Sequence, residues 1–289
     1  MRWIGGRESE NVEDRRGIGG VPAGIGGIGA IVAVLVGPFF GIDPSVLLAL
    51  LNGDDTTQQS DDRGFGSSRL PENRRDDPMR QFVSVVLADT EDVWNQVFKS
   101  MGRTYDDPKL VLYSSRVSSA CGLASAASGP FYCPEDQKAY LDLSFFQEMK
   151  VRLHAPGEFA QAYVIAHEIG HHVQNELGIL GRAAADRARS DQRGSNAISV
   201  RVELQADCFA GVWAYHADRT KHIIEQGDLE AALNAASAVG DDRLQRRARG
   251  VVVPDAFTHG SSAQRMRWFK RGFEGGNLKA CDTFSAPEL

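Results

Sequence analysis

The sequence has no excess of basic residues, no CxxC pair, no visible repeat and only one long uncharged run, and each absence narrows the function. With 32 Lys and Arg against 38 Asp and Glu, the formal charge is -6. Such a chain lacks the cationic face that neutralises phosphates, so a nucleic-acid partner is not expected. The four cysteines, Cys121, Cys133, Cys208 and Cys281, have neither zinc-ribbon nor redox-motif spacing. Their even number permits two disulfides in a domain outside the cytosol. The length of 289 residues accommodates one substantial domain with accessory segments.

The uncharged run extends over 26 residues, Gly17 to Ile42, whereas a helix crossing a bilayer needs about 20 apolar residues. It is rich in glycine, which membrane helices tolerate because their backbones pack closely. Arg2, Arg7, Arg15 and Arg16 precede it, and the next basic residue is Arg63. By the positive-inside rule residues 1–16 form a cytoplasmic segment, 17–42 a single transmembrane anchor, and the remainder is exported. The run exceeds a signal-peptide core of about 7–15 residues and lacks an evident small-x-small cleavage site, which favours an uncleaved anchor. Residues 43–78 read as a polar flexible linker, since 52–78 in particular hold too little apolar surface to offset the cost of ordering.

Residues 79–289 form the expected catalytic domain. Apolar spacing predicts helices over Met79–Met101, Ala160–Leu177, Ile198–His216, Leu229–Val239 and Gln264–Phe273, with short strands at Leu110–Tyr113 and Ala139–Leu143. The fold class is α+β with helix predominating.

Within Ala160–Leu177, AHEIGHHVQ contains HExxH as His167, Glu168 and His171. Residues four apart on a helix differ by about 40° in direction, so the two imidazoles project from one face and can share a metal. Glu168 flanks that face, where it can reach an attacking water without being a ligand. Incidental histidines on an amphipathic helix are the bland alternative. Against it, tetrahedral zinc needs a third protein ligand, and Glu203 lies 32 residues beyond His171 in VELQADCFAG. Asp207 follows four residues later, on the same helical face, placed to accept the remaining N–H of a ligand histidine. Their apolar neighbours argue against a solvated acidic face.

His172 points about 100° away from His171 and is a poor third ligand. His154, His216 and His222 have no ligand spacing. His259, in THGSS ahead of a helix carrying Arg265, is a candidate oxyanion donor whose proximity sequence order leaves open.

With AHEIGHHVQ, ELQADCFAG and THGSSAQRMRWF in view, the chain resembles the bacterial putative neutral zinc metallopeptidase family. The opening MRW…RESENVEDRRG, the segment SACGLASAASGPFYCPEDQKAYLDLSFF and the C-terminal CDTF extend the likeness over nearly the whole chain. The resemblance implies a membrane-associated, zincin-like peptidase with His167, His171 and Glu203 on the metal and Glu168 as base. The pairing of HExxH with ExxxD is also similar to the broader gluzincin class, in which the later Asp supports a histidine. A weaker similarity links His259 and Arg265 to a His/Arg pair of membrane-associated zinc peptidases and implies a transition-state role.

The expectation is therefore a membrane-anchored zinc endopeptidase acting on a peptide or protein substrate, in which a zinc-activated water loses its proton to Glu168. Ala139–Leu143 would offer an edge to an extended peptide. A tethered zinc-containing binding or assembly factor without hydrolysis is the alternative, disfavoured by Glu168. An intramembrane protease is disfavoured by Glu158, Glu168 and Glu176 on the motif helix. Export makes Cys121–Cys133 and Cys208–Cys281 the preferred disulfides among three connectivities, with free buried thiols as the alternative.

Overall fold

The computed structural model describes residues 1–17 and 77–289. The first helix, α1 (Pro78–Ser100), starts where Asp77 accepts a hydrogen bond from the Met79 backbone and Pro78 fills the first turn. Its apolar face, including Phe82, Val86, Leu87 and Trp94, is buried in the main core. Strand β1 (Val12–Asp14) runs parallel to β2 (Lys109–Tyr113), which runs parallel to β6 (Lys138–Asp142). Strand β5 (Phe131–Cys133) pairs antiparallel with β6, giving the order β1-β2-β6-β5. Leu110 to Tyr113 are all buried, as befits a strand covered on both faces. A hairpin of β3 (Arg116–Ser119) and β4 (Gly122–Ser125) lies beside this sheet, tied to β5 by the Cys121–Cys133 disulfide.

Helices α2 (Ser144–Val151) and α3 (Glu158–Glu176) follow, then α4 (Ile179–Ala188) and the 30-residue α5 (Gln192–Lys221). The chain ends with α6 (Asp228–Ala238), α7 (Asp241–Arg249) and α8 (Ser262–Gly275). Two glycines let α5 and α8 cross at backbone contact. A Cβ on Gly272 would lie 1.9 Å from the Cys208 carbonyl oxygen, and one on Gly211 would lie 2.1 Å from that of Phe269. The Cys208–Cys281 disulfide fastens the chain beyond α8 to the same helix. Both preferred cysteine pairs are thus formed.

The mixed, mainly helical architecture agrees with the expected class, and each predicted helix and strand overlaps an observed one, with Met101, Leu143, Leu177 and Val239 falling one residue beyond its end. Three expectations need correction. Ala139–Leu143 does not provide a sheet edge, because β6 lies between β2 and β5. Residues 1–16 are not a separate segment, because Met1–Ile18 and Asp76–Leu289 form one compact unit. Arg7 pairs with Glu91 and Asp92 on α1, Lys138 reaches Glu13, and Arg16 bonds Asp14 and Asp77. Two strands of one sheet cannot sit on opposite sides of a bilayer, so a single crossing between β1 and β2 is incompatible with this fold. The anchor expected at 17–42 lies, apart from Gly17, outside the described residues, as does the linker at 43–78 except for Asp77 and Pro78. Among the described residues no helix is long and apolar enough to cross a membrane.

Candidate metal centre

Helix α3 carries His167, Glu168 and His171, and α5 crosses it closely enough to bring Glu203 opposite. The approach depends on Gly170, in the middle of the motif, where a Cβ would stand 2.9 Å from the Ala206 carbonyl oxygen. His167 and His171 stack edge to face with ring centroids 4.8 Å apart. His167 Nε2 is 3.2 Å from Glu203 Oε2, and His171 Nε2 is 3.6 Å from Glu203 Oε1. One ligand atom from each of the three side chains lies within 4.8 Å of the others.

The opposite ring nitrogens show why this set suits a cation. His167 Nδ1 donates to Asp207 Oδ1 at 2.9 Å, and His171 Nδ1 donates to Gln174 Oε1 at 2.8 Å. In the neutral rings that a metal binds, both Nε2 atoms then carry lone pairs directed toward a carboxylate, three electron-rich groups facing one point. Two imidazoles and one carboxylate with a remaining open position are a catalytic-type zinc donor set. The local charges favour positive charge at the same place. Burial works against a His167 cation, yet Asp207 and Glu203 outweigh it and draw its pKa up to about 10. Burial likewise opposes the Glu203 anion, but His171 and His167 hold its pKa well below the ordinary carboxylate range.

Asp207 is fully buried at the base of the centre. Besides His167 it accepts from the Tyr163 hydroxyl at 2.5 Å and from Arg265 Nε and Nη2 at 2.8 and 2.9 Å. Burial raises its pKa, but the Arg265 guanidinium and His167 reverse that and keep it ionised. Arg265 donates to Tyr163 as well, at 3.2 Å, and is buried. The transition-state role implied for Arg265 does not fit, since its guanidinium is committed to Asp207 and Tyr163. It is a support of the support.

Glu168 lies at the edge of the buried interior, in a small cleft shared with Pro130, Leu141 and Val164. Burial raises its pKa, only partly offset by the neighbouring histidines. His259 precedes α8 on a loop organised by Asp241, whose Oδ2 accepts from the backbone N–H groups of Thr258, His259 and Gly260. Its Nδ1 lies 3.3 Å from Asp241 Oδ1. Burial lowers the His259 pKa, but Asp241 and nearby Glu203 raise it overall. His172 is buried and faces away from the ligand set: Nε2 donates to the Asp106 carbonyl, leaving Nδ1 to accept from the Tyr132 hydroxyl.

Tyr163, Gln174 and Asp241 were not evident from the sequence. Tyr163 stands four residues before His167 and Gln174 three after His171, so helical spacing could have flagged both. Asp241 carries no such signal, because a loop brings it to His259.

Residues 1–284 match the family described as putative neutral zinc metallopeptidase. The chain belongs to that family. Zinc is accordingly its cofactor, and among the described residues His167, His171 and Glu203 form a group able to hold it. The Escherichia coli K12 protein titled Uncharacterized protein YpfJ is 48% identical over 98% of this chain and 99% of its own length. The Mycobacterium tuberculosis H37Rv protein titled Uncharacterized protein Rv2575 is 41% identical, covering 86% of this chain and 85% of its own length. No solved structure matches the chain.

Proposed function

We propose that this family member is an endopeptidase that hydrolyses peptide bonds, with Glu168 as general base, at the outer side of a bacterial cytoplasmic membrane. The observation that carries the reading is the convergence of two Nε2 lone pairs and one carboxylate beside a carboxyl group that is not among the ligands. A purely structural zinc site has no use for that extra group or for an open position. Bound zinc would supply Lewis acidity to a water and to the scissile carbonyl.

Within that chemistry Asp207 holds His167 in its Nδ1–H tautomer, and Arg265 and Tyr163 hold Asp207. Glu168 takes the proton of the attacking water and passes it to the leaving amine, a task suited to a carboxyl whose pKa is raised by burial. His259 donates to the developing oxyanion, aligned by Asp241. An extended substrate adds to β5, the outer strand of the sheet, whose preceding Pro130 shares a cleft with Glu168. Two disulfides support placement outside the cytosol. The apolar run of 17–42 supports membrane association, with β1 and the rest of the domain on one side.

The test is bound zinc by elemental analysis and cleavage of an unstructured protein substrate, comparing the full chain with Glu168→Gln. Stoichiometric zinc in both, with cleavage lost in the variant, is expected. Zinc in both and cleavage in neither would favour a tethered binding factor, and a folded chain that takes up no zinc would sink the metal centre itself.

A further inference from the structure

The two ligand histidines are supported in chemically different ways. His167 leans on a buried carboxylate, whereas His171 leans on a neutral chain. Gln174 Nε2 donates to the Val202 carbonyl at 2.7 Å and to Gln205 Oε1 at 3.1 Å. With its amide nitrogen so engaged, only its oxygen can face His171. Gln205 is fixed in the same sense, because its Nε2 donates to the Cys281 carbonyl at 2.9 Å. Gln174 is fully buried, Gln205 nearly so, and Cys281 is held by the disulfide to Cys208, one helical turn from Gln205.

Reversing either amide would set two acceptors or two donors against each other and leave buried polar groups unpaired. The direction of the whole series therefore originates at a backbone carbonyl, which cannot donate. It runs from the Cys281 oxygen through Gln205 to Gln174, which the Val202 carbonyl anchors as well, and ends by requiring a proton on His171 Nδ1. In the neutral ring the nitrogen facing Glu203 is then Nε2 with its lone pair.

We infer that Gln174 and Gln205 are positioning residues for the metal centre, fixing the tautomer and ring orientation of His171 from an anchor in the C-terminal segment. The inference rests on the zinc-site reading and extends it to two residues outside the donor set. A neutral support holds the ring without adding a third buried anion beside Glu203 and Asp207.

The test measures zinc affinity of the full chain by chelator competition for the unsubstituted protein, Gln174→Met and Gln205→Met, substitutions that roughly conserve volume while removing the amide. Removal of an outer hydrogen-bond partner of a metal ligand typically weakens binding about 10–100-fold. That loss is expected for Gln174→Met, with a smaller loss for Gln205→Met, in which the Val202 carbonyl alone still holds the Gln174 amide. The second readout is the ¹⁵N-histidine spectrum of the metal-free proteins, in which the His171 Nδ1–H signature is expected to vanish in Gln174→Met and to weaken in Gln205→Met. Unchanged affinity and an unchanged spectrum in either variant, with zinc bound normally by the unsubstituted chain, would overturn the relay alone. Failure of the unsubstituted chain to bind zinc would remove the metal reading, and the relay with it.

Discussion

Arg265 and Asp207 are joined by two parallel hydrogen bonds between side chains that are only 5% and 0% exposed. A charged pair at that depth is stable only while both members are present. The pair also carries the direction of the centre, because the Asp207 oxygen that receives Arg265 Nη2 receives His167 Nδ1 too. Arg265→Ala leaves Asp207 without its main counter-charge, and we expect a loss of about 3–5 kcal/mol in equilibrium urea unfolding. Arg265→Lys retains charge but not the two-pronged geometry, and should recover only part of that loss. Full stability in Arg265→Ala would mean that Asp207 is held by Tyr163 and His167 alone.

Gly170 sets the separation of the two helices that share the zinc. A methyl group there meets backbone, the Ala206 carbonyl oxygen, rather than a side chain that can swing aside. Alanine gains about 1 kcal/mol in helix propensity over glycine. Overpacking costs about 1–3 kcal/mol, and the helices must part to relieve it. Gly170→Ala is expected to unfold at lower temperature and to bind zinc more weakly, as read by thermal scans with and without added zinc. A midpoint at or above that of the unsubstituted protein would show that α3 and α5 can separate without cost.

The ligand set was legible because a helix converts spacing into direction: His167 and His171, and separately Glu203 and Asp207, are four apart on elements with clear apolar periodicity. What spacing could not convey is how two helices approach, which Gly170, Gly211 and Gly272 decide through the absence of a side chain. The role of Arg265 was misread for a related reason. Sequence order placed it near His259, six residues away, whereas α8 turns it inward to Asp207 on a different helix. The N-terminal residues were misread because arginine counts as topological charge in a sequence and as a hydrogen-bond donor in a fold. Short strands such as β1 and β5, three residues each, offer too few positions for alternation to register.

Glu13 makes the fold sensitive to acid at the junction of β1 with the rest of the sheet. It accepts from Lys138 Nζ at 2.8 Å and Arg15 Nη2 at 2.6 Å. Partial burial opposes its charge, but these two cations prevail and lower its pKa to about 2. A carboxyl with a folded pKa below its unfolded one stabilises fully above about pH 4.5, and that contribution fades as pH falls toward about 2. Thermal unfolding measured at about pH 5 and about pH 3 should therefore show a larger drop in midpoint for the unsubstituted chain than for Glu13→Gln. Equal drops would indicate that solvent screens the Lys138 contact completely.

The pairing of β1 with β2 makes a claim about sidedness that can be tested in cells. Val12, Glu13 and Asp14 lie opposite Leu110, Val111 and Leu112, and Arg16 bonds Asp77 at 2.6 Å. The chain on either side of residues 18–76 consequently belongs to one folded unit, on one side of any membrane. Arg7, Arg15 and Arg16, which would otherwise orient a single span, are occupied with Glu91 and Asp92, Glu13, and Asp14 and Asp77. Single cysteines at Ile4, which is 88% exposed, and at exposed Lys270 should react together with a membrane-impermeant maleimide, either both in intact cells or both only after permeabilisation. If Lys270→Cys were labelled in intact cells while Ile4→Cys required permeabilisation, the chain would cross the membrane once, and β1 could not occupy its place in the sheet of the full-length protein. Joint labelling in intact cells would place the whole unit, disulfides included, outside the cytoplasm.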